Sequence, residues 1–124
     1  MRILITGGAG FIGSNFIIKQ IAETDNFVLN LDKLTYAGNL ENLQEVENHK
    51  SYQFVNGDIC DHVLVEKVIN EFSPTVIINF AAESHVDRSI DGPAEFINTN
   101  IIGTSVLLSG ALNYYNKLPA KQKT

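Results

Sequence analysis

The residues best suited to chemistry fall in three places. The first is Thr6-Gly7-Gly8-Ala9-Gly10-Phe11-Ile12-Gly13, with four glycines in seven positions. It reads as G-x-G-x-x-G from Gly8, Gly10 and Gly13, or as G-x-x-G-x-x-G from Gly7, Gly10 and Gly13. Either reading describes a chain that leaves a strand and enters a helix through a tight turn needing positive φ. Bare backbone admits a diphosphate, Gly13 lets the helix sit close on the sheet, and the helix N-terminus offers free N–H groups and the positive end of its dipole. The amides of Phe11 and Ile12 are expected to aim at the phosphates. The second place is Asp32, 22 residues past Gly10. That is near the ~20-residue spacing of an acid that accepts hydrogen bonds from the hydroxyls of an adenine ribose. Its charge repels a 2′-phosphate, so the cofactor expected is NAD rather than NADP, with Lys33 beside it a weak signal the other way. The third place is Gly57-Asp58-Ile59. There a carboxylate could take the adenine amino group and Ile59 could lie against the ring, at a strand end where such sheets line their crevice. The alternative for Asp58 is an Asx turn that caps the next helix.

These groups need a scaffold that brings strand ends side by side. Arg2–Thr6 reads as a short buried strand, and Phe11 to about Glu23 as a helix with Ile17, Ile18, Ile21 and Ala22 at helical spacing. Residues 27–31 form a second strand ending at Asp32, residues 35–39 a loop, and residues 40–47 a short helix. Residues 51–56 form a third strand, closed by Gly57-Asp58. Asp61 caps a helix whose core face is Val65, Val68, Ile69 and Phe72, and Ser73-Pro74 stops it. Residues 75–80, nearly all apolar, suit a fourth strand in a sheet covered on both faces. After a polar loop, Pro93 begins a long helix running to about Asn116. Its apolar positions include Phe96, Ile97, Ile101, Leu107, Leu108, Ala111, Leu112 and Tyr115, and Gly103 and Gly110 share one face. Strands alternating with helices predict the α/β class: a Rossmann-type doubly wound parallel sheet, partial, with about four strands in the order 3-2-1-4 and flanking helices.

Composition agrees with this scaffold and excludes others. The chain has 124 residues, 44% hydrophobic and 19% charged, which makes one globular domain and not two. Nine basic and fourteen acidic residues give −5, with no basic run longer than two, so no duplex nucleic acid is expected as a partner. Acidity does not count against a small anionic ligand, because backbone N–H groups hold phosphate without lysine. Apolar runs such as residues 76–78 fall far short of the ~20 residues of a membrane helix. The N-terminal apolar run ends at Gly7, so no secretory leader is expected. Cys60, the single cysteine, cannot form an internal disulfide, which fits a reducing cytoplasm, and it is expected as a small buried hydrophobe. No His/Cys/Asp spacing suggests a metal site.

Four stretches carry a family resemblance: Thr6 to Gly13, quoted above; Asp32-Lys-Leu-Thr-Tyr-Ala-Gly-Asn39; Gly57-Asp-Ile-Cys-Asp61; and Ala81-Ala-Glu-Ser-His-Val-Asp-Arg88. The pattern Phe96…Thr99-Asn100…Gly103-Thr104 fits as well. From Met1 to about Tyr115 the chain resembles the NAD-binding part of the extended short-chain dehydrogenase/reductases, and within them the nucleotide-sugar dehydratases. The glycine loop marks only the superfamily; the second and fourth stretches are more specific. The resemblance implies that Phe11 and Ile12 contact the NAD pyrophosphate, and that Asp32, Lys33, Leu34 and Thr35 contact the adenosine ribose. It implies that Asp58 and Ile59 hold adenine, that Phe80, Ala81, Ala82, Glu83 and Ser84 run under the nicotinamide half, and that Thr99 reaches the cofactor. Ser84 would also touch the sugar nucleotide. Phe80 departs slightly from the family, where Leu is commoner. The resemblance further implies a cytoplasmic lyase, a homodimer through the helix starting near Pro93, and dTDP-glucose as the substrate. That sugar would be oxidised at C4, lose water across C5 and C6, and regain the hydride at C6 to give dTDP-4-keto-6-deoxyglucose. Read physically, Glu83, His85, Asp87 and Arg88 are a dense polar cluster after a buried strand, which a local charge network explains as well as a ligand does.

The catalytic groups that the resemblance implies are not in these 124 residues. Four positions after Tyr36, Tyr52, Tyr114 and Tyr115 stand Leu40, Asn56, Leu118 and Pro119, so there is no Tyr-x-x-x-Lys, and no Thr-Asp-Glu run occurs. Geometry cannot replace a missing acid/base pair. No catalytic residue is therefore expected here, and the chain alone is expected to be inactive, a truncated domain without a sugar-binding C-terminal part. Without a fifth strand, residues 75–80 would be an apolar edge that invites association. Two alternatives stay open. One is a portion of another family member, a UDP-sugar epimerase or decarboxylase, although the Ala81 to Arg88 stretch argues against the epimerases. The other is a non-catalytic NAD-binding module.

Overall fold

The computed structural model describes residues 1–34, 39–81 and 98–123, with residues 98 and 99 described for backbone only. Four strands, β1 (Arg2–Thr6), β2 (Phe27–Asp32), β3 (Tyr52–Asn56) and β4 (Val76–Asn79), form one sheet in the order β3-β2-β1-β4. All three pairings are parallel, with Ile5 opposite both Asn30 and Ile78 and with Asp32 opposite Asn56. The helices are α1 (Phe11–Glu23), α2 (His62–Phe72) and α3 (Thr104–Lys117). The sheet thus has the doubly wound class and strand order that the alternating pattern predicts.

Strand alternation sorts the core into two layers. Ile3, Ile5 and Val28 face α1 and pack with Ile17, Ile21, Leu43 and Val46. Leu4, Leu29 and Leu31 face the other way and pack with Val65, Val68, Ile69 and Phe72 of α2 and Leu107 of α3. The expected core face of α2 is therefore the observed one. In α1, Ile17 and Ile21 are buried, Ile18 is half-buried and Ala22 is exposed. Ser73, in the left-handed region at φ 54°, ends α2 immediately before Pro74.

Three expectations need correction. Residues 40–47 do not form an α-helix: Leu40–Leu43 is a short 3-10 helix continued by turns with i→i+3 bonds. Its two buried anchors, Leu43 and Val46, are three residues apart, which matches three residues per turn. The last helix runs to Lys117 and is entered through a π-helical turn, Asn98–Gly103; its expected start at Pro93 lies outside the described residues. Its apolar positions also split between two faces. Gly103, Leu107 and Gly110 are buried, and a Cβ on Gly110 would stand 3.1 Å from Ile69 and 3.2 Å from Val65. Ile101, Leu108, Leu112 and Tyr115 are exposed. Gly110 is thus packed against the chain's own α2. Cys60 is half-buried rather than buried.

α2 carries its own N-cap: the Asp61 side chain accepts the Leu64 N–H. Asp61→Ala is expected to cost about 1 kcal/mol of folding stability, read as a lower urea midpoint at unchanged slope. No helix among the described residues is long and apolar enough to cross a membrane.

Candidate functional site: a glycine turn clasped by the second strand

The turn after β1 is held amide by amide. Gly7 N–H donates to the Leu31 carbonyl (3.0 Å), Gly8 N–H to Asn30 Oδ1 (2.9 Å) and Ala9 N–H to Asp32 Oδ2 (2.8 Å). Three consecutive donors are thus satisfied by three consecutive residues of β2. The Ala9 carbonyl accepts from the Asn39 N–H and from Asn42 Nδ2, both at 3.1 Å. Gly7 takes φ +69°, the positive value the turn was expected to need. A Cβ on Gly13 would lie 2.7 Å from the Gly7 carbonyl oxygen and 2.8 Å from Gly8 Cα, so the first turn of α1 rests directly on the loop.

Past Gly10, whose N–H donates to the Gly7 carbonyl at 3.3 Å, three amides are left open. Among the described residues the N–H groups of Phe11, Ile12 and Gly13 meet no acceptor. The N-cap is Gly10, which has no side chain to offer, and the first turn of α1 holds no acidic residue. Phe11 and Ile12 are 80% and 69% exposed, an apolar rim around those donors. Uncapped N–H groups at the positive end of a helix dipole attract an anion.

Asp32 closes the neighbouring side. It is only 7% exposed, and its Oδ1 accepts the Leu34 N–H at 2.7 Å while Oδ2 holds Ala9. A carboxylate has about four lone-pair sites, so each oxygen keeps capacity for one more donor. Leu34 sits at φ 59°. Asp58 Oδ1 accepts the Cys60 N–H at 2.9 Å, the Asx turn of its alternative reading, although the helix that follows is capped by Asp61 and not by Asp58; Oδ2 lies 3.3 Å from Lys33 Nζ. Burial by itself would raise the Asp58 carboxyl, but the Cys60 amide and the Lys33 ammonium outweigh it and hold it below the ordinary carboxylate range.

Two expected contacts change character. Ile59 is 4% exposed and sits in the core with Leu31 and Val65, so its backbone, not its side chain, borders the crevice. The Phe80 ring packs against Phe16 of α1, with centroids 5.8 Å apart, and its N–H continues the ladder to the Thr6 carbonyl. Phe80 extends the alternation of Val76 and Ile78 onto the α1 face, which is why its ring turns inward. Ala81 is half-buried beside Gly7. Thr35, Ala82, Glu83, Ser84 and the Thr99 side chain lie outside the described residues.

Sequence reasoning missed the asparagines. Asn30, Asn39 and Asn42 hold the glycine turn. Asn79 accepts from the Thr6 hydroxyl and the Ala81 N–H and donates to the Thr104 hydroxyl, tying β1 and β4 to α3. A polar residue in the middle of an otherwise apolar strand was the available signal for Asn30.

Open donors, an acid one strand away and a doubly wound sheet define the nucleotide-binding class of α/β folds. A family model described as GDP-mannose 4,6 dehydratase matches residues 4–122, and the chain belongs to that family. It is 53% identical over 123 residues to a dTDP-glucose 4,6-dehydratase of Escherichia coli, covering 99% of this chain and 34% of the relative. Among solved structures, a dTDP-glucose 4,6-dehydratase of Streptomyces venezuelae, crystallised with NAD bound, is 45% identical with a TM-score of 0.86, covering 92% of this chain and 36% of that one. A UDP-glucose 4-epimerase of Thermotoga maritima is 36% identical with a TM-score of 0.82, covering 92% and 35%. The chain spans about a third of the length of the curated relatives it matches.

Proposed function

We propose that this chain is the NAD-holding portion of a dTDP-glucose 4,6-dehydratase, a lyase of nucleotide-sugar metabolism with a place in dTDP-rhamnose biosynthesis. The observation that carries the reading is the set of open Phe11, Ile12 and Gly13 amides beside the clasped Asp32. The donors fit a diphosphate, and the spare lone pairs of Asp32 fit two ribose hydroxyls while opposing a 2′-phosphate. Identity to the dehydratases, 53% and 45%, against 36% to the epimerase, supports the choice within the family.

In this reading Gly7, Gly10, Phe11, Ile12 and Gly13 surround the diphosphate. Asp32, Lys33, Leu34 and Thr35 take the adenosine ribose, and Asp58 with the Ile59 backbone takes adenine. Phe80, Ala81, Ala82, Glu83, Ser84 and Thr99 border the nicotinamide half, and Ser84 also meets the sugar nucleotide. Bound there, NAD supplies the hydride acceptor for oxidation at sugar C4 and the hydride donor for reduction at C6. The chain's own residues bind and orient; none of them is a Tyr-x-x-x-Lys or Thr-Asp-Glu group, so these 124 residues alone are expected to turn over no dTDP-glucose. A cytoplasmic setting is supported by the single cysteine. A homodimer through the helix starting near Pro93 is supported by the exposed stripe of Ile101, Leu108, Leu112 and Tyr115.

Calorimetric titration tests the cofactor reading. NAD is expected to bind, and NADP to bind at least about tenfold more weakly because of the Asp32 charge. Equal affinities, or no binding of NAD, would overturn it.

A further inference from the structure

Asn30 lies in the middle of β2, 0% exposed, on the face that α1 covers. A buried carboxamide is costly unless both of its ends are bonded. Here both are: Oδ1 accepts the Gly8 N–H at 2.9 Å, and Nδ2 donates to the Tyr52 hydroxyl at 3.2 Å. The two bonds fix which way the amide faces, because Nδ2 turned toward Gly8 would set donor against donor. Tyr52 opens β3 and is itself half-buried, so the anchor is a second strand and not solvent.

Gly8 is the point where that grip meets the first turn of α1. The first turn of α1 rests on it, since a Cβ on Gly13 would approach Gly8 Cα to 2.8 Å. Moving Gly8 therefore moves Gly13, and with it the neighbouring Phe11 and Ile12 amides. We infer that Asn30 is a positioning residue for the diphosphate cradle, with Tyr52 as its anchor: by gripping the Gly8 amide it sets the pitch of the turn, so that the three open amides converge on one anion. The inference rests on the dinucleotide reading given above and deepens it.

The test separates positioning from mere core satisfaction. Asn30→Leu keeps the branching at Cγ in a somewhat larger side chain and leaves Gly8 N–H without an acceptor. Asn30→Asp, ionised or protonated, keeps an oxygen for Gly8 and a bond to the Tyr52 hydroxyl, yet costs stability as a buried acid. NAD affinity of the full chain is expected to fall by about tenfold or more in Asn30→Leu and to stay within about threefold of wild type in Asn30→Asp. Tyr52→Phe, which frees the amide to turn, is expected to fall between them. Affinity that merely tracks melting temperature across the three variants would overturn the positioning role.

A second readout needs no cofactor. Amide hydrogen exchange at Gly8 should accelerate in Asn30→Leu, while Ala9, held by Asp32, should stay protected. Unaltered exchange at Gly8 would overturn the role of Asn30 alone. A wild-type chain that binds inorganic pyrophosphate but not NAD would overturn the cofactor reading alone.

Discussion

Gly7→Ala is expected to remove about 3–5 kcal/mol of folding stability and to abolish dinucleotide binding. Two costs add. At φ +69° an L side chain pays a backbone penalty of about 1–2 kcal/mol. The new methyl would also lie 2.5 Å from Ala81 N and 2.7 Å from both Ala81 Cα and Phe80 C, which are main-chain atoms and not the yielding tip of a side chain. That segment cannot recede cheaply, because Phe80 N–H is bonded to the Thr6 carbonyl and Ala81 N–H to Asn79 Oδ1. Relief must come from the turn itself, which would carry the Gly8 and Ala9 amides off Asn30 and Asp32. For a domain whose total stability is of order 5–15 kcal/mol, this is a large fraction. Urea unfolding reads the effect as a lower midpoint at unchanged slope. A loss below about 1 kcal/mol would mean that the turn does not hold Gly7 in this conformation.

Much of this architecture was legible because it rests on local signals. The run Arg2–Thr6 followed by glycines, and the helical spacing of Ile17 and Ile21, locate β1 and α1 without tertiary information. The Asp61 cap and the Ser73-Pro74 stop frame α2. Four strands alternating with helices imply a right-handed parallel sheet, and the glycine loop with Asp32 points among such sheets to the dinucleotide-binding order β3-β2-β1-β4. What was not legible depends on which groups meet across the sheet. Asn30 looks like a defect in an apolar strand until the β1–β2 register sets it beside the turn after β1. Leu40–Leu43 has helical spacing over too few residues to distinguish an α-helix from a 3-10 helix, and its work is done by Asn39 and Asn42 on the Ala9 carbonyl, 33 residues from Asn42 in sequence. The apolar residues of α3 outnumber what one neighbouring helix can cover, and sequence does not say which of them face α2.

Asp32 was legible as an acid at the right spacing, but its second task was not, and that task sets the other large effect. Asp32→Ala is expected to cost about 2–5 kcal/mol of stability, because it leaves the Ala9 and Leu34 N–H groups without their acceptor at a position only 7% exposed. Asp32→Asn should cost roughly half as much: one oxygen still accepts, while the amide nitrogen sets a donor against the other N–H. Both variants should weaken NAD binding, and neither should gain NADP. A residue that only repelled a 2′-phosphate would, once neutralised, admit one, with Lys33 close by to receive it. Here the same carboxylate fastens the glycine turn to β2, so neutralising it removes the repulsion and loosens the cradle together. Lys33 is also engaged with the Asp58 carboxylate at 3.3 Å. Parallel titrations of wild type, Asp32→Asn and Asp32→Ala with NAD and NADP check this alongside urea midpoints. A stable Asp32→Ala protein that exchanged NAD for NADP would show that the carboxylate discriminates between cofactors without supporting the turn.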